Sequence, residues 1–153
     1  MKINLTKKSE GFTFVETLSV LAIGAVLTAG SVVSASRIIS FARITAAKNQ
    51  IAQLSSGLQC YFLDCGRFPT VEQGLQALWE KPVMYPVPEN WNGPYMDKLP
   101  GCDPWGKEYV YISSDSAAVK YQLPSNLPFG VISFGADGME GGTGEAQDLV
   151  SWK

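Results

Sequence analysis

Apolar and polar positions divide the chain into three regimes. From Phe12 to Val33 the run FTFVETLSVLAIGAVLTAGSVV is apolar on every face, 22 residues with a single charge, Glu16. At about 1.5 Å per residue it forms about 33 Å of helix, against a hydrocarbon core of about 30 Å. A core helix of a soluble protein would show a polar face over that length. From Ile44 the pattern turns amphipathic: Ile44, Ala47, Ile51, Leu54, Leu58 and Tyr61 recur at spacings of three and four, with Lys48, Asn49, Gln53 and Ser56 between them. Neither Pro nor Gly interrupts from Ser31 to Ser56, and Gly57 alone costs about 1 kcal/mol relative to Ala. One helix is therefore predicted from Phe12 to about Asp64, ended by Gly66.

Beyond Gly66 the periods shorten. Thr70-x-x-Gln73 reads as a capping box that opens a short helix from Val71 to about Glu80, stopped by Pro82. Six prolines between Pro82 and Trp105 predict an irregular packed loop. Runs of β-branched and aromatic residues predict strands at Tyr109–Ile112, Val119–Leu123 and Phe129–Phe134, separated by turns at Ser113–Ser116 and Pro124–Pro128. The fold class is α+β, a long N-terminal helix packed on a small three-stranded antiparallel sheet. Residues 1–11 read as a leader, 12–33 as a transmembrane helix and 34–153 as a head that includes the amphipathic half of the helix. No internal repeat is apparent.

Charge sharpens this division. The formal net charge is −2, and removing the three lysines and one glutamate of the first eleven residues leaves nine basic against thirteen acidic side chains. Such a balance argues against a nucleic-acid surface, which needs clustered Lys and Arg. Basic residues ahead of the apolar run predict a cytoplasmic N-terminus and an exported remainder. An ordinary secretory signal is the rival, with Ala29, Gly30, Ser31 and Ser34–Ser36 as its small residues, but its apolar region is usually about 7–15 residues and ends at the cut site. Here the run begins directly after Gly11.

Glu16 is what a plain anchor does not explain. A carboxylate in an apolar helix costs roughly 2.5–3.5 kcal/mol on insertion scales and marks a function or a partner. A cut between Gly11 and Phe12 would create an α-amino group one helical turn from Glu16, and in a helical filament a neighbour's amine could neutralise it. The plainer reading is a glutamate favoured by the dipole at a helix start.

K-K-S-E-G-F-T-F-V-E, Lys7 to Glu16, resembles the class III signal of type IV pilins and pseudopilins. The resemblance implies that a prepilin peptidase cuts after Gly11 and methylates Phe12, and that Glu16 serves filament assembly. Many relatives carry a Pro near the end of the apolar segment; this chain has Val32-Val33-Ser34, so a Pro-driven kink is not expected. The head narrows the resemblance. Leu63-Asp64-x-Gly66-x-Phe68-Pro69-Thr70, Glu72-Gln73-Gly74-Leu75-x-Ala77-Leu78, Trp91-x-Gly93-Pro94-Tyr95, Asp103-Pro104-Trp105-Gly106 and Ser133-x-Gly135-Ala136-Asp137-Gly138 are similar to the major pseudopilins of type II secretion systems, in order and over nearly the whole chain. Taken by themselves, the aromatic and Pro-rich blocks read as core and turn chemistry rather than a ligand cage.

The stretch SFGADGMEGGTGEAQDLVSW combines Asp137, Glu140, Glu145 and Asp148 with five glycines. Hard oxygen ligands on a Gly-rich loop suit calcium, which takes six to eight oxygens, many from backbone carbonyls; alone, such a loop is more often a solvated turn, and its spacing is not an EF-hand. The resemblance implies structural calcium held by Asp137, Asp148, Glu145 and the main-chain carbonyl of Phe134, closing the loop so that the head is rigid enough to polymerise.

There are no histidines, which removes the commonest general base and zinc ligand. A membrane-anchored periplasmic enzyme would need acid pairs or Ser or Cys nucleophiles, yet Asp64, Asp103 and Asp137 fit turns or metal and no base accompanies a nucleophile. The chain is read as a non-enzyme. Three cysteines, Cys60, Cys65 and Cys102, leave open one disulfide, with Cys65–Cys102 the candidate pair, or three unpaired thiols.

The expected protein is a single-pass subunit of the bacterial inner membrane with its head in the periplasm. The resemblance implies a homopolymeric filament with minor pseudopilins, built by a membrane platform protein and its ATPase, that helps move folded proteins across the outer membrane. A type IV pilin of a surface or DNA-uptake fibre shares the N-terminus and is the nearest alternative; the G-A-D-G block favours secretion.

Overall fold

The computed structural model describes residues 11–114, 121 and 123–153, with the backbone alone for 29–35. Two compact units divide the chain, Met1–Ile39 and Ser40–Lys153. Helix α1, Phe14–Cys65, contributes to both.

α1 starts where its cap chemistry sits. Thr13 Oγ1 accepts the Glu16 N–H at 3.3 Å, satisfying one of the orphan donors of the first turn, and the Thr17 N–H reaches the Thr13 carbonyl at 3.1 Å. At the other end Gly66, at φ +73°, turns the chain out of the helix while its N–H closes on the Phe62 carbonyl at 2.8 Å, as an αL glycine after a helix does.

In the first unit the large apolar side chains of α1 project outward: Phe14, Val15, Leu18, Val20, Leu21, Ile23, Val26 and Leu27 are all half or more exposed. The hydroxyls among them turn inward instead. Thr17 bonds the Thr13 carbonyl, Ser19 the Val15 carbonyl at 2.8 Å and Thr28 the Gly24 carbonyl, so they satisfy themselves on the helix's own backbone. Among the described residues no helix is long and apolar enough to cross a membrane. The expected span, 12–33, includes 29–33, whose side chains lie outside that set.

In the second unit the predicted stripe is the core. Ala47, Ile51, Leu54, Leu58 and Tyr61 are at most 4% exposed and cluster with Ala77, Leu78, Tyr111, Val131 and Leu149. Gly57 falls on this face for a packing reason: Leu78 Cδ1 and Met96 Cγ approach to 3.3 Å of where its Cβ would sit, so the missing side chain offsets its weak helix propensity.

The sheet is antiparallel and three-stranded, β1 Val110–Ser113, β2 Phe129–Ser133 and β3 Leu149–Val150, in the order β1-β2-β3. Val110 pairs with Ile132 and Ser113 with Phe129; Ser133 pairs with Leu149. Two predicted strands are thus present within a residue of their bounds. The third, Val119–Leu123, lies outside the described residues apart from Tyr121 and Leu123; β3, which the sequence did not predict, is the third strand of the described sheet. Gly130 lets Trp152 lie on β2, its ring 2.5 Å from where a Cβ would be.

The Thr70–Gln73 capping box closes reciprocally. Gln73 N–H bonds Thr70 Oγ1 at 3.2 Å, and Thr70 N–H bonds Gln73 Oε1 at 3.1 Å. The helix expected after it is shorter, a 3₁₀ turn at Leu75–Leu78. Gly74 sits at φ +60°, a left-handed conformation that a continuous right-handed helix cannot contain. The Pro-rich loop is packed as predicted: Tyr95 N–H reaches the Leu78 carbonyl at 2.8 Å and Trp91 Nε1 the Ala77 carbonyl at 2.9 Å. Trp91, Tyr95 and Trp105 pack against the core, the structural role expected of them.

Candidate functional site

Two places carry the sequence-predicted residues. At the N-terminal junction, Gly11 and Phe12 precede α1 in irregular, exposed backbone, Phe12 being 79% exposed. Among the described residues, the Gly11–Phe12 bond stands outside the helix. Glu16 stands in the first turn of α1, where the dipole favours a carboxylate. Its own N–H is spent on Thr13, so the side chain is held on a capped, ordered turn.

The acidic loop joins β2 to β3. It is closed by main-chain contacts made where side chains are missing. Gly135, at φ +61°, takes the Glu145 carbonyl into the space a Cβ would fill, and Gly142, at φ +83°, does the same for the Ala146 carbonyl. The Ala136 N–H then bonds the Glu145 carbonyl at 2.8 Å, and Gly144–Ala146 forms a 3₁₀ turn. Any Cβ at either glycine would push these strands of the loop apart.

Asp137 is exposed and its Oδ1 accepts the Met139 N–H at 3.1 Å. Asp148 Oδ2 accepts the Gly141 N–H at 2.8 Å, whereas its Oδ1 is buried without a hydrogen-bond partner. A buried, unpartnered carboxylate oxygen is costly, and a hard cation is the kind of group that would satisfy it. The residues fit calcium in that respect. Among the described residues no three His, Cys, Asp or Glu side chains come together as a metal-binding group, so a cation here would draw mainly on main-chain oxygens around Asp148. Glu145 enters the loop's interior through its carbonyl, already bonded to Ala136. The ring of Phe134 packs on Tyr121 at 5.2 Å between centroids.

Sequence reasoning overlooked two contributors. Lys107 lies over the loop, its Nζ 3.4 Å from where a Cβ on Gly138 would sit, placing a positive charge at the rim. Asp103, read only as a turn residue, is 5% exposed. Its Oδ1 accepts the N–H groups of Trp105 and Lys107 at 3.0 and 2.9 Å, and its Oδ2 accepts the Ser133 hydroxyl at 2.6 Å. The Asp-Pro-Trp-Gly turn was the available signal; that it reaches the end of β2 depends on tertiary contact.

Cys60, Cys65 and Cys102 are all free thiols, one of the two arrangements the sequence left open. Cys102, bridged to Glu108, shares a small cavity with Gln50, Gln53 and Leu54. Burial pushes the Cys65 thiol pKa up, partly countered by the neighbouring Tyr95 and Tyr61 side chains.

The chain matches the family "Type II secretion system (T2SS), protein G" over residues 37–152 and the "Prokaryotic N-terminal methylation motif" over residues 6–32. It is 36% identical over 147 residues to the type II secretion system core protein G of Pseudomonas aeruginosa, covering 95% of this chain and 96% of that protein. It is 35% identical over 148 residues to the protein of the same name from Vibrio cholerae, covering 95% and 93%. Among solved structures, the major pseudopilin of the type 2 secretion system of enterohaemorrhagic Escherichia coli is similar with a TM-score of 0.55 and 32% identity, over 72% of this chain and 87% of that one.

Proposed function

The chain belongs to the protein G family of type II secretion systems, the major pseudopilins, and from that premise we propose how it is processed, anchored and assembled. It is a structural subunit of the secretion pseudopilus, rather than of a surface or DNA-uptake fibre. Its leader ends at Gly11; prepilin peptidase cuts there and methylates Phe12. The apolar first part of α1 holds the subunit in the inner membrane with the head in the periplasm. A platform protein and its ATPase then move subunits into a homopolymer with minor pseudopilins. Glu16 meets the methylated amine of a neighbour, an ion pair worth making only where water is excluded.

One observation carries this reading: a methylation motif over residues 6–32 leads directly into a protein G head beginning at residue 37. The exposed apolar side chains from Phe14 to Leu27 support it, since such a surface marks a membrane or a partner. N-terminal sequencing and intact mass of the membrane protein, with and without co-expressed prepilin peptidase, test it. A peptidase-dependent product beginning at N-methylated Phe12 is expected; an uncut chain, or one cut near Ala29–Ser36, sinks it.

The loop between β2 and β3 is proposed to take structural calcium, with Asp148 and Asp137 contributing carboxylate oxygens and the loop backbone, at Phe134 among others, contributing carbonyls. The buried, unpartnered Asp148 Oδ1 motivates this. Bound calcium supplies positive charge that stabilises the closed loop by mass action. Chelation should lower the melting temperature of the head by several degrees, and an unmoved melting temperature would count against calcium.

A further inference from the structure

We propose that Asp103 is a positioning residue for the loop between β2 and β3. Acting through the Ser133 hydroxyl, it fixes the point where that loop leaves the sheet and so sets the loop's affinity for a cation. The affinity half of this proposal rests on the calcium reading above.

The starting point is a carboxylate in an expensive place. Asp103 is 5% exposed and Ser133 is fully buried, and a buried charge is tolerated only when hydrogen-bonded. On Oδ1 the Trp105 and Lys107 N–H groups close a turn, which the Asp103 N–H completes on the Lys107 carbonyl at 2.7 Å. A neutral amide oxygen would serve that turn as well, so the turn does not account for the charge.

Oδ2 does. It accepts the Ser133 hydroxyl at 2.6 Å, the length of a charge-assisted O–H bond to a carboxylate. A hydroxyl has one proton and two acceptor lone pairs. With its proton committed to Asp103, Ser133 Oγ can only accept on its other side, and there it meets the Gly135 N–H at 3.3 Å. That bond is long, and it survives only if its acceptor is held still.

Gly135 is the residue on which the loop turns. It makes room for the Glu145 carbonyl, its successor Ala136 bonds that carbonyl, and Asp137 follows. The order of dependence is Asp103, Ser133, Gly135, then the closure of Ala136 on the Glu145 carbonyl. The same carboxylate thus joins the turn preceding β1 to the loop following β2.

Two variants of the full chain in detergent micelles separate the links. Ser133→Ala removes the relay and leaves the Asp103 turn bonds. Asp103→Asn keeps an acceptor for the turn but presents a donor to Ser133, so the hydroxyl proton loses its carboxylate partner and the oxygen is no longer oriented by it towards Gly135. Amide exchange is measured without calcium, and binding of calcium chloride by titration calorimetry. In both variants the Gly135 and Ala136 amides should exchange faster, while in Ser133→Ala the Trp105 and Lys107 amides stay protected. Calcium affinity should fall at least about tenfold, the lower end for losing an outer-shell partner. Unchanged Gly135 protection in Ser133→Ala overturns the positioning role, and unchanged affinity in both variants overturns its consequence for the cation. If the wild-type chain takes up no calcium, the calcium reading falls, and the exchange rates alone decide for or against positioning.

Discussion

Both parts of α1 are rich in apolar residues, and they dispose of them in opposite ways. Between Phe14 and Leu27 the large side chains are half or more exposed, whereas the stripe from Ala47 to Tyr61 is at most 4% exposed. The backbone is helical throughout Phe14–Cys65, so secondary structure does not distinguish them; what differs is how far the described residues cover them. The later part has Leu78, Tyr111, Val131 and Leu149 to close on. The earlier part leaves its large apolar side chains exposed, while its hydroxyls are folded back on carbonyls one turn away.

The largest test of this contrast is truncation. Leu58→Ala should destabilise the head by about 3 kcal/mol, within the range for a buried leucine whose site cannot collapse. Leu21→Ala should change the same unfolding free energy by less than about 0.5 kcal/mol, measured by denaturant unfolding of the full chain in micelles. Equal losses at the two positions would break the comparison.

A smaller effect comes from alkaline titration. Burial raises the pKa of Tyr61 from 10.0 to about 12 and pushes those of Tyr95 and Tyr109 upward as well. Each phenol binds its proton more tightly folded than unfolded, so their contribution is complete below about pH 10 and lost as pH rises through the folded values. All the tyrosines lie beyond Ser40. Near-UV circular dichroism from the head should fade above about pH 10 before the far-UV helical signal does. Simultaneous loss of both signals would mean that the two parts of α1 unfold as one.

How much of this was legible in advance follows the range of the interaction. Local chemistry was readable: the Gly66 stop, the Thr70–Gln73 box, the stripe from Ala47 to Tyr61 and the bounds of β1 and β2. Conformation imposed at one glycine was not; Gly74 shortened a helix that Val71 to Glu80 otherwise suggested. β3 escaped because two residues, Leu149 and Val150, form no alternation, and only pairing with Ile132 and Ser133 makes them a strand. At the acidic loop, Asp137 and Asp148 could be singled out by type, but Asp103 and Lys107 arrive from some thirty or more residues away in sequence, through contacts no spacing records.

The fastening of the loop after Pro82 has a consequence for how such a surface can diverge. Gln73 Nε2 donates to the Met84 and Pro86 carbonyls at 2.9 and 3.0 Å, and Arg67 Nη2 donates to the Pro86 carbonyl at 2.9 Å. All three bonds grip main chain, which every residue type possesses. Val83 and Tyr85 meanwhile stand 89% and 93% exposed. The clamp is indifferent to what it displays, so mutation can rewrite those side chains while Gln73 and Arg67 keep the loop in place, and a lineage can change what its subunits present without renegotiating the fold beneath.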